Sequence, residues 1–318
     1  MNFIKQAFHV KHEFWRYLVG SLIIAVFAII GQVPFAVAAI VKYLREGGSI
    51  TSVEEQDLMT VLEPNLNLFL MLLSFAIGFI GLIIVVKYLH NQTMRSVTTA
   101  RPKIDWKRIL FAFVFWGIVS SGMILIDYFA NPEDYVLNFQ LNRFLILALI
   151  AVLLIPIQTS LEEYIFRGYL MQGFGLLAKN RWFPLIMTSV IFGGLHVFNP
   201  EVGKLGYGVM VYYIGTGLFL GIITLMDEGM ELALGFHAAN NLFGALLVSA
   251  DWTVLQTHSV LKDISEPGQG FGDIVIPVFI VFPILLFIFA KKYNWTNWND
   301  KLFGNIEEPI VEDIKTID

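Results

Sequence analysis

The sequence predicts an all-α fold: a polytopic membrane protein built as a bundle of about eight transmembrane helices. Three observations predict it. Hydrophobic residues make up 56% of the chain and charged residues only 15%, against about 45–50% and about 25% in soluble domains. The mean hydropathy is +0.67. Apolar runs close to the roughly 20 residues that a crossing helix needs recur along the chain, with turn-forming residues between them.

The expected spans fall at 18–43, 66–90, 108–130, 144–170, 182–198, 206–226, 232–250 and 272–290. Between them lie Glu46-Gly47-Gly48, Arg101-Pro102-Lys103, Asn131-Pro132-Glu133-Asp134, Asn199-Pro200 and Glu266-Pro267-Gly268, the usual punctuation of turns. The fifth span is short. The sixth is rich in glycine (Gly206, Gly208, Gly215, Gly217, Gly221), which suits close helix packing. Three stretches follow from this: N-terminal helices over 1–140, a polar-bearing core over 141–250, and a last helix with a polar, acidic tail over 251–318.

Residues 1–16 mix Phe3, Ile4, Phe8, Phe14 and Trp15 with Lys and His. That fits an interfacial helix and an ordinary charged flank equally well. Ala36-Val37-Ala38 has the look of a signal cleavage site, but the apolar run continues to Val41, so the segment is read as a retained first span. Lys5, Lys11, Arg16, Lys87, Arg95, Arg101, Lys103, Lys107, Arg108, Lys179, Arg181, Lys291 and Lys292 fall on the side of the N-terminus. Only Lys42, Arg45, Arg143, Lys204 and Lys262 fall on the other. The positive-inside bias then puts both termini in the cytoplasm.

The absence of cysteine removes disulfides, thiol nucleophiles and Cys-based metal sites. The net charge of -5 and the lack of a large basic field argue against nucleic acid. The expected partners are the lipid bilayer and a membrane-bound peptide or protein.

Ionisable residues inside spans mark functional sites, and this chain places them selectively. Glu162, Glu163 and Arg167 lie in the fourth span, His196 in the fifth, and His237, Asn240 and Asn241 in the seventh. Glu163 and Arg167 are four apart in the favourable ion-pair order, so Arg167 is expected to neutralise Glu163. Glu162, rotated by about 100°, points elsewhere and is the candidate general base. His237 and Asn241 share a helical stripe. At 1.5 Å per residue, Glu162 lies ~27 Å from the outer end of its span, with His196 ~21 Å and His237 ~7 Å from the inner ends. The cluster is therefore expected in the inner half of the membrane, facing the cytoplasm. Asp127, His90 and His258 read as ordinary interfacial residues near span ends.

A carboxylate, two imidazoles and an amide suit hydrolysis by activated water. Glu162 would take the proton, His196 would position the water, and His237 with Asn241 would donate to the oxyanion. Alternatively, His196, His237 and Glu162 could hold a divalent ion such as Zn2+. No H-E-x-x-H pattern marks a zinc site, and no Gly-x-Ser-x-Gly elbow marks a serine nucleophile.

The set Glu162-Glu163-x-x-x-Arg167, Phe192-x-x-x-His196 and His237-x-x-x-Asn241 resembles the three-motif signature of the CPBP family. That family comprises CAAX prenyl endopeptidases of the second type and the bacteriocin-processing, or Abi, proteins. The resemblance covers roughly residues 140–250. It implies an intramembrane endopeptidase acting on membrane-associated or lipidated, CAAX-like substrates, with Glu162 as base and His196 as its partner. His237 and Asn241 would form the oxyanion site, with Glu163, Arg167 and Phe192 in support. The family is commonly labelled metalloprotease, and a metal-free glutamate mechanism uses the same residues. Two other functions fit the residues: a non-catalytic immunity or scaffold protein of this fold, and a proton-coupled transporter.

Overall fold

The computed structural model describes residues 2–49, 58, 60–266 and 271–308. After a 3-10 turn over Ile4–His9, α1 runs over Phe14–Arg45 and α2 over Pro64–Ile84, the latter extended by a π turn over Val85–Leu89. The short α3 (Met94–Thr98) leads to α4 (Trp106–Ala130). Next, α5 (Leu141–Glu163) passes through a π turn, Tyr164–Leu170, into α6 (Met171–Ala178). Then come α7 (Trp182–Gly194), α8 (Pro200–Leu205), α9 (Met210–Asp227) and α10 (Glu231–Leu247). The chain ends in α11 (Phe271–Ile276), a π turn over Pro277–Val281, α12 (Phe282–Tyr293) and α13 (Trp298–Phe303).

Six helical stretches among the described residues are long and apolar enough to cross a membrane: Phe14–Arg45, Pro64–Leu89, Trp106–Ala130, Leu141–Ala178, Tyr207–Asp227 and Ile274–Tyr293. The protein is an all-α, multi-pass integral membrane protein. The expected count of eight is corrected to six because the fifth and seventh segments form shorter helices. α7 has 13 residues and α10 has 17.

Local chemistry sets the helix boundaries. Glu63 caps α2, its side chain accepting from the backbone N–H of Asn65 at 3.0 Å and of Leu66 at 3.1 Å, with Pro64 opening the helix. Asp105 caps α4 through the N–H of Lys107 at 3.1 Å. Both are carboxylates at helix N-termini, where unpaired N–H groups need acceptors.

Helix α10 is the centre of the bundle. It packs against α4 and α5, while α2 packs against α1 and α5, and α9 against α7. From Glu231 to Ala239 every residue of α10 is buried. Gly235 makes this possible: a Cβ there would collide with the carbonyl oxygen of Ile109 on α4. The next residue, Phe236, packs against Trp116 with ring centroids 4.6 Å apart.

The two ends of the bundle differ. One end, the base, gathers the N-terminal turn, α3, the α6–α7 and α9–α10 turns, and α13. Here Arg101 donates to Asp227 at 2.8 Å and to Glu231 at 3.0 Å, while Arg108 pairs with the same Asp227. Arg181 and Lys301 share Glu228. The opposite end carries a small sheet in the order β1-β3-β2, from Tyr135–Leu137, Val248–Ala250 and Leu261–Asp263. In it β1 pairs antiparallel with β3, and β2 parallel.

Several expectations are corrected here. The N-terminal turn is docked into the protein, with Phe3, Ile4 and Ala7 fully buried and the Phe3 N–H bonded to Glu228. His90 and His258, near span ends, are buried within the protein. His90 bonds the Lys11 carbonyl and the Tyr169 hydroxyl, and His258 bonds Glu63 at 2.6 Å. Part of the expected polar tail packs at the base through Leu302 and Ile306. Pro267, Gly268 and the tail from residue 309 lie outside the described residues.

Candidate active site

The last turn of α5 and the π turn that follows carry the charged residues of the fourth span. A π turn adds a residue to a helical turn and is frequent at functional sites. Arg167 lies within it, fully buried, and its guanidinium donates to Glu163 Oε1 at 3.1 Å and to the Gly217 carbonyl at 3.3 Å. It also stands 4.3 Å above the ring of Phe192. The sequence-expected Glu163–Arg167 pair is thus formed, with both side chains removed from solvent.

His237 joins this pair from α10. Its Nδ1 lies 2.8 Å from Glu163 Oε1, so that nitrogen carries a proton and donates. Its Nε2 faces Glu162 Oε2 across 3.5 Å, longer than a good hydrogen bond. Glu163 is therefore served by two donors. Glu162, 16% exposed at its side chain, is not.

Glu162 Oε1 instead accepts from the amide of Gln158, one turn back on α5, at 2.7 Å. Gln158 Oε1 accepts from Asn241 Nδ2 at 3.1 Å. Asn241 Oδ1 accepts from Asn240 at 3.3 Å, and Asn240 Oδ1 from the Trp116 indole at 3.1 Å. Two hydrogen-bonded sets thus meet where α5 and its π turn face α10: Arg167, Glu163 and His237 in one, and Glu162, Gln158, Asn241, Asn240 and Trp116 in the other, with His237 facing Glu162 across the gap between them. The sequence reading missed Gln158 and Trp116. Gln158 was findable, since position i−4 on a helix shares the face of Glu162.

His196 lies on the turn after α7, apart from both sets. Its Nδ1 bonds the Phe192 carbonyl at 2.8 Å, and its ring stacks on Tyr213 at 4.5 Å. Among the described residues no carboxylate pairs with it. Phe192 is the link, with its ring edge-on to His237 at 6.2 Å and 4.8 Å from the ring of His196. Nearby, Glu201 on α8 accepts from the Val254 N–H at 2.9 Å, and burial pushes its carboxyl above the usual carboxylate range.

Among the described residues no three His, Asp or Glu side chains come together closely enough to hold an ion. His237 and Glu162 face each other while His196 bonds elsewhere.

Comparison with known proteins bears on residues 141–243. They match the family model described as type II CAAX prenyl endopeptidase Rce1-like. The Rce1-like segment holds α5 to α10 up to Phe243, and so every residue of both sets except Trp116. Across 250 residues the chain is 29% identical to the uncharacterized protein YyaK of Bacillus subtilis (strain 168), a stretch covering 78% of this chain and 83% of that one. The similarity to that protein reaches well beyond the Rce1-like segment. No solved structure matches.

Proposed function

We propose that the protein is an intramembrane endopeptidase in which Glu162 activates water for peptide hydrolysis. The observation that carries this is the unequal treatment of two neighbouring carboxylates. Glu163 is balanced by Arg167 and His237. Glu162 has one amide partner and an oxygen directed at His237. A base needs such a carboxylate, ionised and not already spent on a counter-charge.

In this reading Glu162 removes a proton from water as the oxygen adds to the scissile carbonyl carbon. The Nδ1 proton of His196 is committed to the Phe192 carbonyl, which leaves Nε2 to accept from and orient that water. Asn Nδ2 carries two hydrogens. One on Asn241 is bonded to Gln158, and the other is available to the oxyanion. His237 can add a donor from Nε2 in its doubly protonated form. As the C–N bond breaks, Glu162 returns the proton to the leaving nitrogen. The substrates proposed are membrane-associated or lipidated, CAAX-like peptides, reached from the cytoplasmic side with both termini in the cytoplasm. The basic residues at the base and the Rce1-like segment support this.

The test compares wild type with Glu162→Gln, expressed at matched levels, by mass spectrometry of peptide termini in the membrane proteome. Termini present only with the wild type are expected, and they name the substrate. Identical termini from two folded proteins would overturn the peptidase reading and favour a non-catalytic partner of this fold.

A further inference from the structure

The hydrogen bonds that end on Glu162 run in one direction over four steps. The Trp116 indole donates to Asn240 Oδ1, Asn240 Nδ2 to Asn241 Oδ1, Asn241 Nδ2 to Gln158 Oε1, and Gln158 Nε2 to Glu162 Oε1. An amide can exchange its oxygen and nitrogen by a half-turn without changing shape. Here the two ends remove that freedom. An indole N–H only donates, and an ionised carboxylate only accepts. Each amide between them must then receive on oxygen and give on nitrogen.

We infer that Trp116, Asn240 and Gln158 are positioning residues that set the direction of this chain, so that Gln158 presents N–H to Glu162 and Asn241 keeps an N–H for substrate. This assignment rests on Glu162 being the base. A reversed Gln158 would set a carbonyl oxygen against the carboxylate, and a reversed Asn241 would turn its own oxygen toward the reacting centre. Neither is compatible with a base and an oxyanion donor side by side. Successive hydrogen bonds in a low-dielectric interior also polarise one another, which strengthens the last bond. Trp116 sits on α4, is buried, and packs its ring against Phe236 at a tilt of 31°. Its indole hydrogen bond goes to Asn240 rather than to Glu162 or His237, yet it starts the chain.

The test has two arms. Infrared difference spectra of wild type minus Glu162→Gln, in lipid nanodiscs, isolate the Glu162 carboxylate band without any substrate. The band is expected to shift in the Gln158→Met background, and in the same sense but less in Trp116→Phe, which keeps an aromatic ring on Phe236. An unchanged band in folded Trp116→Phe would overturn the assignment. In the second arm, with a farnesylated CAAX-type peptide, kcat is expected to fall about tenfold for Gln158→Met and about threefold for Trp116→Phe, with KM held. The double variant is expected to be no slower than Gln158→Met alone. Strictly multiplicative losses, or losses in KM alone, would show two independent structural effects and overturn the chain. If the wild type cuts no such peptide, the substrate proposal fails, and the infrared arm still decides the chain.

Discussion

Two polar clusters sit on α10, one at its first turn and one in its middle, and they are finished to different degrees. At the first turn, Glu231 accepts from Arg101 and from the Asp105 N–H, and Asp227 accepts from Arg101, Arg108 and the Trp295 indole. Every carboxylate oxygen there has a donor. In the middle, Glu163 Oε1 has two donors, its buried Oε2 has none, and the buried Nε–H of Arg167 has no acceptor. A saturated network holds helices in register. A buried, incompletely bonded one is costly to keep, and it stands where the reacting groups are proposed to be.

The largest effect expected from this contrast is at Arg167. Arg167→Met leaves the Glu163 charge buried without its cation, and a loss of about 3–5 kcal/mol in unfolding free energy is expected. Denaturant unfolding in detergent measures it. Removing both charges, as Glu163→Gln with Arg167→Met, should recover most of the loss. A single variant as stable as wild type would mean the pair compensates nothing.

A smaller effect is expected at the base. Asp227→Asn weakens the bonds from two arginines, but Arg101 keeps Glu231, and the Arg101 and Arg108 side chains are 23% and 19% exposed. A loss of about 1–3 kcal/mol is expected, with kcat of the folded protein unchanged. A fall in kcat without a fall in stability would erase the contrast between lock and site.

The smallest lies outside both clusters, at the Glu63–His258 contact. Burial alone would raise the Glu63 carboxyl, but the His258 hydrogen bond and the N–H groups of Leu66 and Asn65 outweigh it and hold it below its ordinary 4.5. A depressed folded value means the contact contributes fully above that pH and fades as pH falls further and Glu63 protonates. The melting temperature of wild type minus Glu63→Gln should therefore be positive near neutrality and shrink on acidification. A constant difference would remove the contact from the ledger of stability.

What could be read from the sequence was what one helix determines by itself. Four-residue spacing aligned Glu163 with Arg167 and His237 with Asn241, and apolar length marked the six long spans. What could not be read depended on rotation between helices. His237 meets Glu163 as well as Glu162 because of how α10 lies on α5, and no spacing along either helix contains that. Trp116 looked like one more aromatic in an apolar run, since its partner Asn240 is on another helix. The N-terminal turn resembled a surface helix because the cup that buries Phe3 and Ile4 is built from segments far along the chain.

The shortness of α7 has a consequence for the medium around the site. Thirteen residues rise only about 20 Å, against a hydrocarbon thickness of about 30 Å. The turn bearing His196, with Leu195 and Phe198 exposed beside it, therefore ends the helix short of the far headgroups. A bilayer meeting such a mismatch thins or deforms at small cost. The protein would locally dimple its own membrane and shorten the path by which water reaches a depth that oil would otherwise deny it.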